Sequence, residues 1–185
     1  MSTPVDIVQV PDIASARLVR RILDGYALEP WGFHGLGHWA RVLVNGLLLA
    51  TETAADREVV ALFALFHDSR RLNDSRDPDH GPRGAQLAGE LRPYFTLNDR
   101  KLALLQEACI GHTAQADALD ITVRTCFDAD RLDLARVWKR PDPALLCTDM
   151  ARRPEVIEAA VVRTHNFPAA AFVQQTWGDV LTPSA

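Results

Sequence analysis

The apolar run Val59 to Phe66 ends abruptly in His67-Asp68, and this junction constrains the chain more than any other stretch. Val59, Leu62, Phe63 and Phe66 recur at i, i+3, i+4 and i+7, the spacing of a core-facing helix. Packing gives such a helix no reason to finish in two ionisable groups. An imidazole nitrogen beside a carboxylate oxygen can bind one divalent metal; the plainer reading is a His-Asp pair at a frayed helix end. The run is too short for the roughly 20 apolar residues of a membrane span, and none longer occurs.

The other periodic stretches are helical as well. A first helix is expected over about 12–26, capped by Asp12, with Arg17, Arg20 and Arg21 on its solvated face. Glu29 to His38 is too rich in Gly and Pro for a helix, so His34 is assigned to loop structure. Trp39, Val42, Leu43, Gly46, Leu47 and Ala50 then form one helical face, with His38 in the first turn. A polar loop follows Asp68, the kind of segment on which a rigid scaffold mounts its chemistry. Helices are expected over about 82–91, stopping before Pro93, and over about 98–111, which places His112 at a C-terminal end. A longer helix over about 120–138 carries Val123, Phe127, Asp130, Leu134 and Val137 as a buried stripe. A carboxylate inside such a stripe costs several kcal/mol unless it is paired, so Asp130 requires a cation, an arginine or a metal. A helix over about 154–164 and a short last segment around 172–180 that carries Trp177 complete an all-α, single-domain bundle.

The 185 residues, 48% hydrophobic and 24% charged, suit an ordinary globular core. A net charge of −4 excludes the electrostatic footprint of non-specific nucleic-acid binding, so no nucleic-acid polymer and no membrane is expected as partner. Residues 1–6 show no secretory leader, and Cys109, Cys126 and Cys147 are scattered without a CxxC pair. Both point to reduced thiols in a cytoplasmic protein.

His34, His38, His67, His80 and His112 all fall at helix ends or in loops. With Asp68 and Asp130 they offer the imidazole and carboxylate mixture that suits Mn, Fe, Co, Ni or Zn, while Mg prefers more oxygens. His38, then His67-Asp68, then Asp130 in Ala129-Asp130-Arg131-Leu132 resembles the H…HD…D signature of the HD-domain metal-dependent phosphohydrolase superfamily. The likeness covers about 31–150, leaving 151–185 as a C-terminal helical extension.

The resemblance implies one divalent transition metal held by His38, His67, Asp68 and Asp130, with metal-activated water attacking a small phosphate ester, anhydride or nucleotide. Arg70, Arg71, Arg83 and Arg131 become candidates for holding phosphoryl oxygens. His80 and His112 are candidates for orienting water or donating a proton, and the general base is left among Asp68, Asp74 and metal-bound hydroxide. Counted as ligands instead, His80 and His112 bring a second metal, resembling binuclear members such as cyclic-dinucleotide phosphodiesterases and di-iron oxygenases; one metal is favoured because His80 lies within the loop after Asp68. A third reading is a non-catalytic metal- or nucleotide-binding module. Ser69-Arg70-Arg71-Leu72 stands where guanosine tetraphosphate hydrolases of the superfamily carry a Glu-Asp pair, which argues against that substrate. Asp128 is read as solvated or as supporting a ligand, not as a ligand.

Overall fold

The computed structural model describes residues 8–182; Met1 to Asp6, read above for a leader, lies outside them. Among the described residues there are helices and no strands. The helices are α1 (Ala16–Leu23), α2 (Leu36–Thr53), α3 (Arg57–Phe66), α4 (His80–Glu90), α5 (Asp99–Gly111), α6 (Ile121–Arg131), α7 (Asp149–Arg152), α8 (Pro154–Asn166) and α9 (Ala169–Trp177). None is long and apolar enough to cross a membrane.

Side-chain caps set most of the helix starts. Asp56 accepts from the Glu58 and Val59 amides at 3.0 and 3.1 Å, fixing α3, while Asn98 and Asp120 cap α5 and α6 in the same way. The first helix is shorter than expected because Ser15, not Asp12, accepts the Leu18 amide. The fourth begins two residues early, so His80 is its first residue and not part of the preceding loop. The expected long helix over 120–138 stops at Arg131. A 3-10 turn at Leu134–Val137 follows, and the chain reverses at Trp138, whose φ is +59°.

The central element is α2, packed against α3 and α6 along its length and against α8 and α9 at the side. Its expected apolar face, Trp39 to Ala50, is buried. In α3 every residue from Val59 to Phe66 is buried, not one stripe, because α1, α2, α4, α5 and α6 enclose it. The C-terminal helices lie against this bundle, where the Trp177 indole donates to the Ala14 carbonyl at 2.9 Å. The three cysteines are buried and unpaired.

Candidate metal centre

Five elements deliver ionisable side chains to one buried point. His38 sits in the first turn of α2, His67 caps the C-terminus of α3 with Asp68 next to it, and Asp130 lies in the last turn of α6. His80 opens α4 and His112 caps the C-terminus of α5. His34, read as loop structure, is buried beside them and bonds Asp74 Oδ1 through Nδ1 at 2.7 Å.

The hydrogen bonds assign the tautomers. Nδ1 of His67 faces the Phe63 carbonyl at 3.1 Å, Nδ1 of His112 faces that of Cys109 at 2.8 Å, and Nδ1 of His80 faces that of Asp77. Carbonyls only accept, so each Nδ1 carries the proton. Nδ1 of His38 likewise donates to Asp133 Oδ2 at 2.7 Å. All four Nε2 lone pairs therefore turn inward, with His38 3.0 Å from His67 and His80 2.9 Å from His112. Facing lone pairs at that separation need a proton or a cation between them.

The carboxylates divide between the two pairs. Asp68 Oδ2 lies 3.5 Å from His38 Nε2 and 3.7 Å from His67 Nε2, while its Oδ1 lies 3.2 Å from His80 Nε2 and 3.8 Å from His112 Nε2. Asp130 Oδ1 adds to the first pair, 3.3 Å from His38 Nε2 and 3.9 Å from His67 Nε2. Two buried groups, His38 with His67 and Asp68, and Asp68 with His80 and His112, have the spacing to hold a metal ion.

The fit to a cation rests on Asp130. Its Oδ1 is buried and, with the His38 Nε2 lone pair 3.3 Å away, has no hydrogen-bond donor, a state that costs several kcal/mol unless that ring is protonated or a cation meets both. The nearest guanidinium, Arg136, stays at 3.8 Å, beyond hydrogen-bonding reach. Arg136 thus shares the charge of Asp130 without hydrogen-bonding it, so the arginine alternative open from the sequence is met in part, and the side facing the imidazoles is left for a proton or a cation.

The electrostatics follow. Burial would push Asp68 and Asp130 up, yet the surrounding imidazoles, with Arg136 for Asp130, hold both well below the usual carboxylate range. Burial and Arg136 press His38 down, but Asp130, Asp133 and Asp68 outweigh them and raise it to about 9. Burial drives His67 down to about 3. Without a metal, His38 Nε2 holds a proton where a cation would bind.

The arginines separate by position. Arg70 turns away, donating to the Ile22 and Ser69 carbonyls at 2.9 Å, and Arg83 is held by Asp77 and the Arg70 carbonyl. Neither lines the cavity over the cluster, so they hold the polar loop in shape. Arg131 lines it, but its guanidinium is tied to the Gln115, Ala116 and Leu145 carbonyls. Arg71 enters the cluster, with Nη1 3.4 Å from Asp68 Oδ1 and 3.2 Å from His80 Nε2. The cavity itself, about 770 Å³, exposes Asp68, Asp130, His112 and Asp74 to Arg136, Lys139 and Arg140, with Leu134 and Leu145 as apolar wall.

Asp133 escaped the sequence reading. It is fully buried, bonds His38, takes Arg41 at 2.7 and 3.0 Å, and accepts Thr164 Oγ1 at 2.9 Å. Asp128, expected to be solvated or to support a ligand, is instead a buried structural anchor, accepting the Cys147 and Thr148 amides and the Thr148 hydroxyl.

Over 86% of this chain and 92% of the other, the structure matches, with a TM-score of 0.61 and 24% identity, a crystal structure described as that of a "predicted HD superfamily hydrolase" from an uncultured Thermotogales bacterium. The fold is of the HD-domain type. No family model matches the sequence, and no curated protein does. In this HD-type bundle the buried clusters sit where α2, α3 and α6 converge, with the N-terminus of α4 and the C-terminus of α5 adding His80 and His112.

Proposed function

We propose that this chain is a metal-dependent HD-type hydrolase of a phosphate ester or anhydride, borne by a small metabolite or nucleotide. The observation that carries the reading is Asp130 Oδ1, buried without a partner and facing inward-turned imidazoles. His38, His67, Asp68 and Asp130 would hold the cation. A divalent ion bound there supplies Lewis acidity, lowering the pKa of water and drawing charge from a phosphoryl oxygen. Arg136, Lys139 and Arg140 line the cavity and receive the phosphoryl charge, with Arg71 closing its inner side. His112, raised above its ordinary value by Asp68 and Asp130 against the pull of burial, is the group to donate a proton to the leaving oxygen. Asp74, held by His34 on the cavity wall, is the group to accept one. The unpaired cysteines support a cytoplasmic setting.

The test is product release from a panel of phosphomonoesters, diesters and nucleotides with Mn, Co, Ni, Zn, Fe or Mg added. Hydrolysis well above the His67→Ala background is expected; a panel with no member above that background removes the reading.

A second reading adds another cation between Asp68 Oδ1, His80 and His112, and the division of the Asp68 oxygens between two imidazole pairs favours it. Arg71 already brings positive charge there and would have to withdraw. Metal content decides: two ions per chain falling to one in His80→Ala supports two cations, whereas one ion in both proteins supports one.

A further inference from the structure

A second cavity of about 470 Å³, with His38 among its lining residues, opens between the loop before α2, the 3-10 turn after α6 and the end of α8. Among the described residues three Trp, Phe or Tyr side chains are exposed, and all three line it: Trp31 at 48%, Phe33 at 47% and Trp138 at 84%. The other aromatic side chains are buried or partly so. Concentrating every exposed ring at one opening is the composition of a recognition site rather than of a solvated surface.

The rings are held in place. Phe33 and Trp138 meet edge to face at 5.9 Å, and the Arg136 Nε donates to the Phe33 carbonyl at 3.2 Å. Trp138 occupies the left-handed region, an uncommon place for a bulky residue. That conformation costs about 1–3 kcal/mol, and the exposed indole recovers none of it by burial. No carboxylate lines the cavity. Its ionisable groups are His38, Arg41, Arg136 and His165, with Asp133 behind Arg41 and Asp130 beyond Arg136.

We infer that the cavity walled by Trp31, Phe33 and Trp138 binds a planar aromatic ring carrying negative charge, as a nucleoside monophosphate does. Indole and phenyl faces stack on any heteroaromatic ring; Arg41 is already paired with Asp133, so Arg136 and His165, with no carboxylate in the lining, are the groups that favour an anionic ligand over a cationic one. The cavity borders the metal centre through His38 and Arg136, but its stacking needs no metal ion, so it is tested on metal-stripped protein separately from the hydrolase reading.

The test uses the metal-stripped full chain and its tryptophan emission, titrated with AMP, adenosine and ribose 5-phosphate. Trp31 and Trp138 are exposed whereas Trp39 and Trp177 are buried, so quenching reports this cavity. Saturable quenching by AMP is expected, weaker binding by adenosine, and none by ribose 5-phosphate. Trp138→Gly should weaken AMP binding by about 5-fold to about 100-fold, the range for loss of one stacking partner. The same substitution suits the left-handed backbone and should leave the melting temperature unchanged or higher, so lost binding cannot be lost folding. Arg71→Gln, in the metal cavity, should leave AMP binding unaltered. The proposal is overturned if AMP gives no saturable quenching at millimolar concentration, if ribose 5-phosphate binds as well as AMP, or if Arg71→Gln weakens binding while Trp138→Gly does not.

Discussion

Asp133 aims His38. Its carboxylate takes the Nδ1 proton on one oxygen and is locked from behind by Arg41 and Thr164, so the ring has one orientation and one tautomer. Asp133→Asn keeps the shape but replaces one accepting oxygen with an NH2 among three donors, His38, Arg41 and Thr164. Cation affinity should fall about 10-fold to about 100-fold, read by competition with a chromophoric chelator; unchanged affinity would show that the contact does not orient a ligand. His38 also sets a pH dependence. Raised to about 9, it is protonated on Nε2 in the neutral metal-free protein, and a cation must displace that proton. Affinity should therefore climb with pH, by up to about tenfold per unit, and level off above about 9, with one proton released per ion. Calorimetry in buffers of different ionisation enthalpy measures the release, and a pH-independent affinity between 6 and 8 would contradict it. That His67-Asp68 and Asp130 meet at one buried point is legible in the sequence because chemically odd residues interrupt apolar helices, whereas His38 joins them only through the resemblance to the H…HD…D signature. Asp133 is not legible, because a helix continued through 138 puts it off the buried stripe; the break after Arg131 that turns it inward has no local marker.

Between elements, the deciding contacts are made by glycines that read as loop signals. Gly81 and Gly84 sit one turn apart on α4, and a Cβ on either would fall 2.2 Å from the Cys109 carbonyl oxygen of α5 or 2.3 Å from that of Phe66 on α3. Backbone oxygens cannot step aside, so the glycines are what let α4 approach closely enough to bring His80 to Asp68. In the sequence, the Gly-Pro-Arg-Gly stretch resembles a turn, which places the expected helix start at Pro82 and His80 in the loop before it. Gly84→Ala should destabilise the chain by about 1–3 kcal/mol, overpacking outweighing the gain of about 1 kcal/mol in helix propensity. It should also weaken cation binding, because Phe66 carries the end of α3 that presents His67 and Asp68. A melting scan with a metal titration checks both, and a stabilised variant with native affinity would mean the helices have room to part.

At the scale of the whole molecule, the cluster gathers acids and bases from helices that are far apart in sequence and packed around α2. The apolar contacts of α2, α3 and α6 hold the frame, yet at its centre they bury Asp68, Asp130 and four imidazoles whose lone pairs converge. A cation relieves that crowding only when all the ligands are together, so it binds the folded chain and not the unfolded one. Mass action then gives about 2.7 kcal/mol of added stability at about 100 times the dissociation constant. For a domain near this size each kcal/mol moves the melting temperature by about 2–4 °C, so saturating metal should raise it by roughly 5–10 °C over chelated protein. His67→Ala should abolish most of that difference while retaining the helical circular-dichroism spectrum, since the apolar frame does not depend on the ion. Equal melting temperatures for loaded and chelated wild type would mean the converging side chains are held by packing and protons alone, and the reading of Asp130 as a cation's partner would fall.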